Sequence, residues 1–274
     1  VRIGDLESLA SAGLLELLDF VDLHAYVGGT PPEAEFRENL IALRKWLEAK
    51  GYAHLPVFLT EFGWTRADGT WQPSVPPDDQ ASYVTRSLAI AWAEKIDGLV
   101  YFALQFKTDN RGEAGFSLLT QDGAPTPALT AFSAIAKFLA AAKPFGFFEI
   151  APEAYAAIGT DQDNRLLLVC WNKCGTQSIQ LPSPPRSVRN RDGAPLPVSK
   201  FLHISPSPIL VTLPASANGP ILAPLHSFTD VASLRSTRYN GSPLHLIALP
   251  DSVKAPKPGN YLALHSDASG NDCL

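Results

Sequence analysis

Along the first 142 residues the apolar positions alternate between two spacings, that of a helix buried on one side and that of a short strand buried on both faces. Residues 6–19 repeat apolar positions at helical spacing and run into the strand-like stretch F-V-D-L-H-A-Y-V at 20–27. Thr30 and Glu33 have capping-box spacing, and Pro31 and Pro32 suit a first helical turn. Phe36, Leu40, Leu43, Trp46 and Leu47 then share one helical face until Gly51 stops the run. The stretch P-V-F-L-T-E-F-G-W at 56–64 reads as a buried strand. A capped helix is predicted from residue 78 to 95, a strand L-V-Y-F-A-L-Q-F over 99–106, and a last helix from Thr126-Pro127 to Leu139. Helix and strand in strict alternation imply an α/β architecture with parallel strands. In such a sheet the chemistry sits where strand tips meet the following helices.

Past residue 145 the period changes. Short strands at 165–172, 178–183, 186–193 and 208–213 are separated by Asn, Gly, Pro and Ser, the pattern of a small antiparallel β module. Residues 214–274 are rich in Pro, Ser, Asn and Gly, with brief apolar stretches such as 244–249, and read as a tail or an incomplete further module. The expected divisions are therefore 1–145, 146–213 and 214–274.

Composition narrows the function classes. With 46% hydrophobic and 18% charged residues the chain has an ordinary globular balance. A net charge of −5 offers no electrostatic footprint for nucleic acid, and no apolar run approaches the ~20 residues of a membrane span. Three cysteines make neither a disulfide framework nor a zinc spacing, so Cys170 and Cys174 are expected to be small buried side chains. The absence of methionine and the opening at Val1 read as a piece of a longer polypeptide. The pattern says nothing about oligomeric state.

One carboxylate stands out. Glu61 ends the apolar run Val57-Phe58-Leu59 and is followed by Phe62-Gly63-Trp64. A charge there must be paired, solvated or functional, because leaving it buried and alone is costly. It is either a strand-end salt bridge or a nucleophile set beneath an anomeric carbon. Asp22, His24 and Tyr26 alternate along the preceding strand and therefore face one way. They form either a satisfied polar layer or a lined cavity in which the Tyr hydroxyl or the His ring orients Glu61. Trp64, Trp71, Tyr101, Phe102 and Phe106 lie at or beyond strand ends, where aromatic planes stack on sugar rings or fill interior packing. Trp64, three residues past Glu61, is the foremost stacking candidate, and Gln105 is placed to donate to a sugar hydroxyl. Glu113, between glycines in a loop, is expected to face solvent.

The ordered set F-V-D-L-H-A-Y-V, P-V-F-L-T-E-F-G-W, L-V-Y-F-A-L-Q-F, then G-F-S-L-L (115–119) and P-T-P-A-L (125–129), resembles the last three strands of the retaining (β/α)8 glycoside hydrolases, the clan containing families 5 and 39. The resemblance implies strands six to eight of a TIM barrel followed by a small antiparallel β-sandwich. It implies that Glu61 is the nucleophile, Tyr26 its hydrogen-bond partner and His24 a neighbour of the acid/base, with Trp64, Tyr101 and Gln105 on the substrate side. An oligo- or polysaccharide substrate, no cofactor, no metal and a secreted or periplasmic location follow from it. The clan's acid/base Glu lies on strand four, upstream of this chain, so the chain alone is expected to be inactive. Strand eight usually supplies a Trp, where this chain has Tyr101, Phe102 and Phe106. Two other readings stay open: a metal-dependent barrel hydrolase using Asp22, His24 and Glu61, and a non-catalytic carbohydrate-binding protein.

Overall fold

The computed structural model describes residues 3–107, 112–181 and 184–214 together with the short strands 238–239, 242–246 and 263–266. The chain divides into two compact units, Val1–Ser133 and Ala134–Leu274.

The first unit contains α1 (Ile3–Ser11), β1 (Val21–His24), α2 (Glu35–Ala49), β2 (Val57–Phe62), α3 (Pro77–Ala93), β3 (Gly98–Tyr101) and the start of α4 (Pro127–Leu139). The strands make a parallel sheet in the order β1-β2-β3, with Leu23 beside Leu59 and Phe58 beside Gly98. On β2, Val57 and Leu59 are fully buried while Phe58 and Thr60 are only half covered, so the strand has one closed and one open face. The same openness shows at Val100 on β3, which is 57% exposed, and at Phe20 just before β1. Helix α2 buries the apolar stripe Phe36, Leu40, Leu43 and Leu47, as its 3.6-residue spacing requires.

Several local expectations are corrected. The helix expected over 6–19 stops at Ser11, because Gly13 enters the left-handed region at φ +71° and only one 3-10 turn, Leu15–Leu17, follows. The capping box at Thr30 and Glu33 does not form. Thr30 donates to the Val27 carbonyl, Glu33 pairs with Arg86, and α2 begins only at Glu35. Helix α3 has no side-chain cap either; Pro76 and Pro77 set its start. The strand expected over 99–106 ends at Tyr101, because the carbonyls of Ala103 and Leu104 accept from Leu118 and Leu119 and draw the chain off the sheet.

The second unit is antiparallel throughout. Its strands are β4 (Lys143–Ala151), β5 (Ala154–Thr160), β6 (Leu166–Asn172), β7 (Gln177–Gln180), β8 (Ser187–Asn190), β9 (Pro195–Leu196), β10 (Phe201–Ile204), β11 (Ile209–Thr212), β12 (Arg238–Tyr239), β13 (Ser242–Leu246) and β14 (Ala263–Ser266). One sheet runs β4-β5-β6-β11-β8-β9 and the other β10-β7-β14-β13-β12. Side chains of both, among them Ile158, Leu168 and Val211 with Ile179, Leu202 and Ile204, share one hydrophobic cluster. The β4–β5 hairpin, β9, β10 and β12 to β14 are additions to the sequence reading. The aromatic run Phe145, Phe147 and Phe148 and the Ala-rich β5 carry no clean alternation, and the hairpin turns at Glu153 with φ +59°. The strand expected over 186–193 ends at Asn190, where the chain turns through Gly193 at φ +86°. Most of the tail expected over 214–274 lies outside the described residues. Cys170 is a buried thiol pushed up to about 12 by burial, whereas Cys174, also expected to be buried, is half-buried.

Candidate active site

Glu61 sits one residue from the end of β2, the middle strand. The pairing with β1 slips between Leu23 and His24, so His24 lies opposite Glu61, and the Ala25 amide donates to the Glu61 carbonyl at 2.9 Å. A second slip, between Leu59 and Phe62 against β3, leaves Thr60 and Glu61 both partly open while Phe62 is buried.

Two sequence-predicted residues meet at this carboxylate, and a third, Asp22, reaches it through His24. The Tyr26 hydroxyl donates to Glu61 Oε2 at 3.1 Å, and His24 Nδ1 lies 3.3 Å from the same oxygen. His24 Nε2 is 3.9 Å from Asp22 Oδ2. Asp22 is anchored in turn, since its Oδ1 accepts from the Thr60 hydroxyl at 2.5 Å and the Thr60 amide at 3.3 Å. The Glu61 side chain keeps 38% of its surface exposed and His24 49%, so the group is reachable from solvent yet held. Burial, and then the negative charge of Glu61, hold the Tyr26 phenol above its ordinary ionisation range. Tyr26 therefore remains a hydrogen donor to the carboxylate across the neutral range.

The other candidates divide by burial. Trp64 is 1% exposed, donates Nε1 to the Thr30 carbonyl at 2.9 Å and packs against Phe36 and Tyr83. Its expected role on the substrate side is corrected: a closed indole has no free face. Tyr101 is likewise interior, touching Phe62 and Phe132, and burial raises its phenol. Gln105 spends its amide donor on the carbonyls of Thr120 at 2.9 Å and Gln121 at 3.3 Å. Glu113, expected to face solvent, is half-buried at the start of a 3-10 turn, Glu113–Phe116, and its charge adds a smaller upward push on Tyr26. Among the described residues no three His, Cys, Asp or Glu side chains converge as metal ligands.

The aromatic wall beside Glu61 joins two of the expected strand-end aromatics, Trp71 and Phe102, to Phe116, which the sequence reading did not single out. Trp71, in the loop after β2, stacks on Phe116 with centroids 5.5 Å apart at 17°, and it meets Tyr26 edge-on at 4.8 Å. Phe102 closes the back, 6.1 Å from Tyr26 and 5.5 Å from Phe116. Gly63 permits this closeness. A Cβ there would lie 2.5 Å from the Phe102 carbonyl oxygen, a separation real Cβ atoms do not adopt. No signal in the local sequence marks Phe116 as a partner of this wall.

No helix among the described residues is long and apolar enough to cross a membrane. No protein-family model and no curated protein matches the chain. Solved structures do. A family 39 glycoside hydrolase from the gut symbiont Bacteroides cellulosilyticus WH2 matches with a TM-score of 0.64 and 19% identity over 76% of this chain and 46% of its own. A glucosidase from Croceicoccus marinus gives 0.48 and 14% over 73% and 56%. A GH51 arabinofuranosidase from Xanthomonas axonopodis pv. citri gives 0.47 and 12% over 73% and 54%. Of these three, the family 39 enzyme has the largest structural overlap. The fold of this chain is similar to that of a glycoside hydrolase, and the chain spans about half the length of that enzyme, 46% of it.

Proposed function

We propose that this chain supplies the last three strands of a (β/α)8 barrel and a following β-sandwich to a retaining glycoside hydrolase, with Glu61 as the nucleophile. One observation carries the reading. A half-exposed carboxylate stands at the tip of the middle strand of a parallel sheet and is held at 3.1 Å by a phenol that stays protonated. The half-open face at Phe58 and Val100 supports it as well, since a closed barrel covers that side with further strands.

In the first step a Glu61 carboxylate oxygen attacks the anomeric carbon, the glycosidic C–O bond breaks, and the leaving oxygen takes a proton from a carboxylic acid. In the second step water, deprotonated by that same group, attacks the glycosyl ester and frees Glu61. Tyr26 fixes the carboxylate's orientation, and His24 stands beside it toward the substrate. By the resemblance the acid/base Glu belongs to strand four of the barrel; a retaining pair sits only about 5–5.5 Å apart, and Asp22, bonded to Thr60, is not offered for that role. The substrate is an oligo- or polysaccharide. A secreted or periplasmic location belongs to the same reading.

Activated 2-deoxy-2-fluoroglycosyl fluorides of glucose and xylose test the nucleophile directly, because fluoride departs without a general acid. Peptide mapping is expected to find the sugar esterified to Glu61, and a Glu61→Gln chain is expected to stay unlabelled. Labelling at another carboxylate, or equal labelling of the Gln variant, would overturn the assignment. A Glu61→Gln variant that loses nothing but retains saccharide affinity would instead favour a binding protein.

A further inference from the structure

We infer that Trp71 is a stacking platform for the apolar face of a sugar ring lying beside Glu61. This extends the glycosidase reading, which it needs only to say where along the substrate that ring lies.

Trp71 is 58% exposed, unusual for so large an apolar side chain held in a fixed pose. One face of its indole lies on Phe116, which is itself fully buried, and Tyr26 meets it with centroids 4.8 Å apart and ring planes near perpendicular. The opposite face is therefore the open one. It belongs to the same contact chain as the phenol that bonds Glu61, so a ring laid on it reaches the carboxylate's neighbourhood. C–H faces of pyranose rings pack on such planes, and the polar rim of Glu61, His24 and Asp22 suits their hydroxyls.

The loop that presents Trp71 is tied down on both sides. Thr70 donates to the Gln72 carbonyl at 2.8 Å, and the buried Gln72 amide donates to the Gly63 carbonyl at 3.1 Å. Gln80, with no exposed surface, donates from α3 to the carbonyls of Trp64 at 2.6 Å and Gly115 at 3.0 Å. Arg66 donates to the Gly115 carbonyl at 3.2 Å. These bonds join the end of β2 to the 3-10 turn that carries Phe116, so platform and carboxylate are set by one framework. Gln80 is a positioning residue for both. A ligand stacking here meets a preorganised surface and orders little on binding.

The test uses the 274-residue chain carrying Glu61→Gln and follows tryptophan emission during titration with cellotetraose, xylotetraose and laminaritetraose. At least one is expected to change the emission saturably. Trp71→Ala is expected to abolish that change and weaken binding by about tenfold or more, while Trp71→Phe keeps the affinity within about threefold. Gln80→Leu is expected to weaken binding with Trp71 still present. No Trp71-dependent change with any of the three, or Trp71→Ala binding as tightly as its parent while its circular dichroism is unchanged, would overturn the platform. The two readings fail separately: fluorosugar labelling of Glu61 with an indifferent Trp71 defeats the platform alone, whereas Trp71-dependent binding without labelling defeats the nucleophile alone.

Discussion

Tyr26, two residues past the end of β1, donates its hydroxyl hydrogen to Oε2 of Glu61 on β2 at 3.1 Å. His24 Nδ1 approaches the same oxygen at 3.3 Å, and no hydrogen bond reaches Oε1 among the described residues. Among the described residues the carboxylate is therefore clamped through Oε2. In the proposed mechanism Oε1 is the attacking atom, and the clamp keeps it aimed during attack.

Removing the nucleophile should be severe and chemically rescuable. In a polypeptide that joins this chain to its acid/base strand, Glu61→Ala is expected to lower turnover of a 2,4-dinitrophenyl glycoside by about 10³-fold or more. Added azide, entering the vacated space, should restore part of it and yield a glycosyl azide of inverted anomeric configuration. Undiminished turnover of the variant would sink the assignment.

Gly63 cannot accept a side chain cheaply. Its Cβ would meet the Phe102 carbonyl at 2.5 Å, so backbone must move. Gly63→Ala is expected to cost about 1–3 kcal/mol in urea unfolding and to shift Glu61 two residues away. An unchanged urea midpoint would show that the close approach is not required.

Arg86 and Glu33 form an ion pair at 3.0 Å with side chains 1% and 3% exposed. Arg86→Met leaves the Glu33 charge buried without its partner and is expected to cost about 3–5 kcal/mol. Adding Glu33→Gln should recover much of that loss, because the stranded charge is then gone. A single-variant loss below about 1 kcal/mol, the scale of a surface pair, would contradict the pair's burial.

Alkaline stability depends on phenols raised by burial, Tyr83 among them. Burial raises Tyr101 above the ordinary 10.0, and burial with the Glu61 charge raises Tyr26. Above that pH the unfolded chain releases protons that the folded chain keeps, so stability falls as pH rises and is unaffected below it. Urea midpoints measured from about pH 9 to 11 are expected to decline, with a shallower slope in Tyr101→Phe. A slope equal to the parent's would refute the buried phenol's contribution.

Local pattern alone placed much of this. The order of helices and parallel strands and Glu61 at a strand end follow from periodicity over a few residues, whereas Tyr26 reaches Glu61 from beyond the end of β1, past a slip in the pairing at Leu23 and His24. The element order and the strand end are properties of neighbours in the chain, and the chain carries them openly.

What lies between distant residues is decided elsewhere. Trp64 and Trp71 share one loop and one side chain, yet the first is closed in by Thr30, Phe36 and Tyr83 and the second open on Phe116. Glu33 reads as a helix cap until Arg86, 53 residues on, takes its charge. The β4–β5 hairpin exists because two unpatterned runs pair with each other and then with β6. By itself the sequence determined which groups stand at the strand ends; only tertiary packing decided which of them keep an open face, because burial depends on partners that local spacing cannot name.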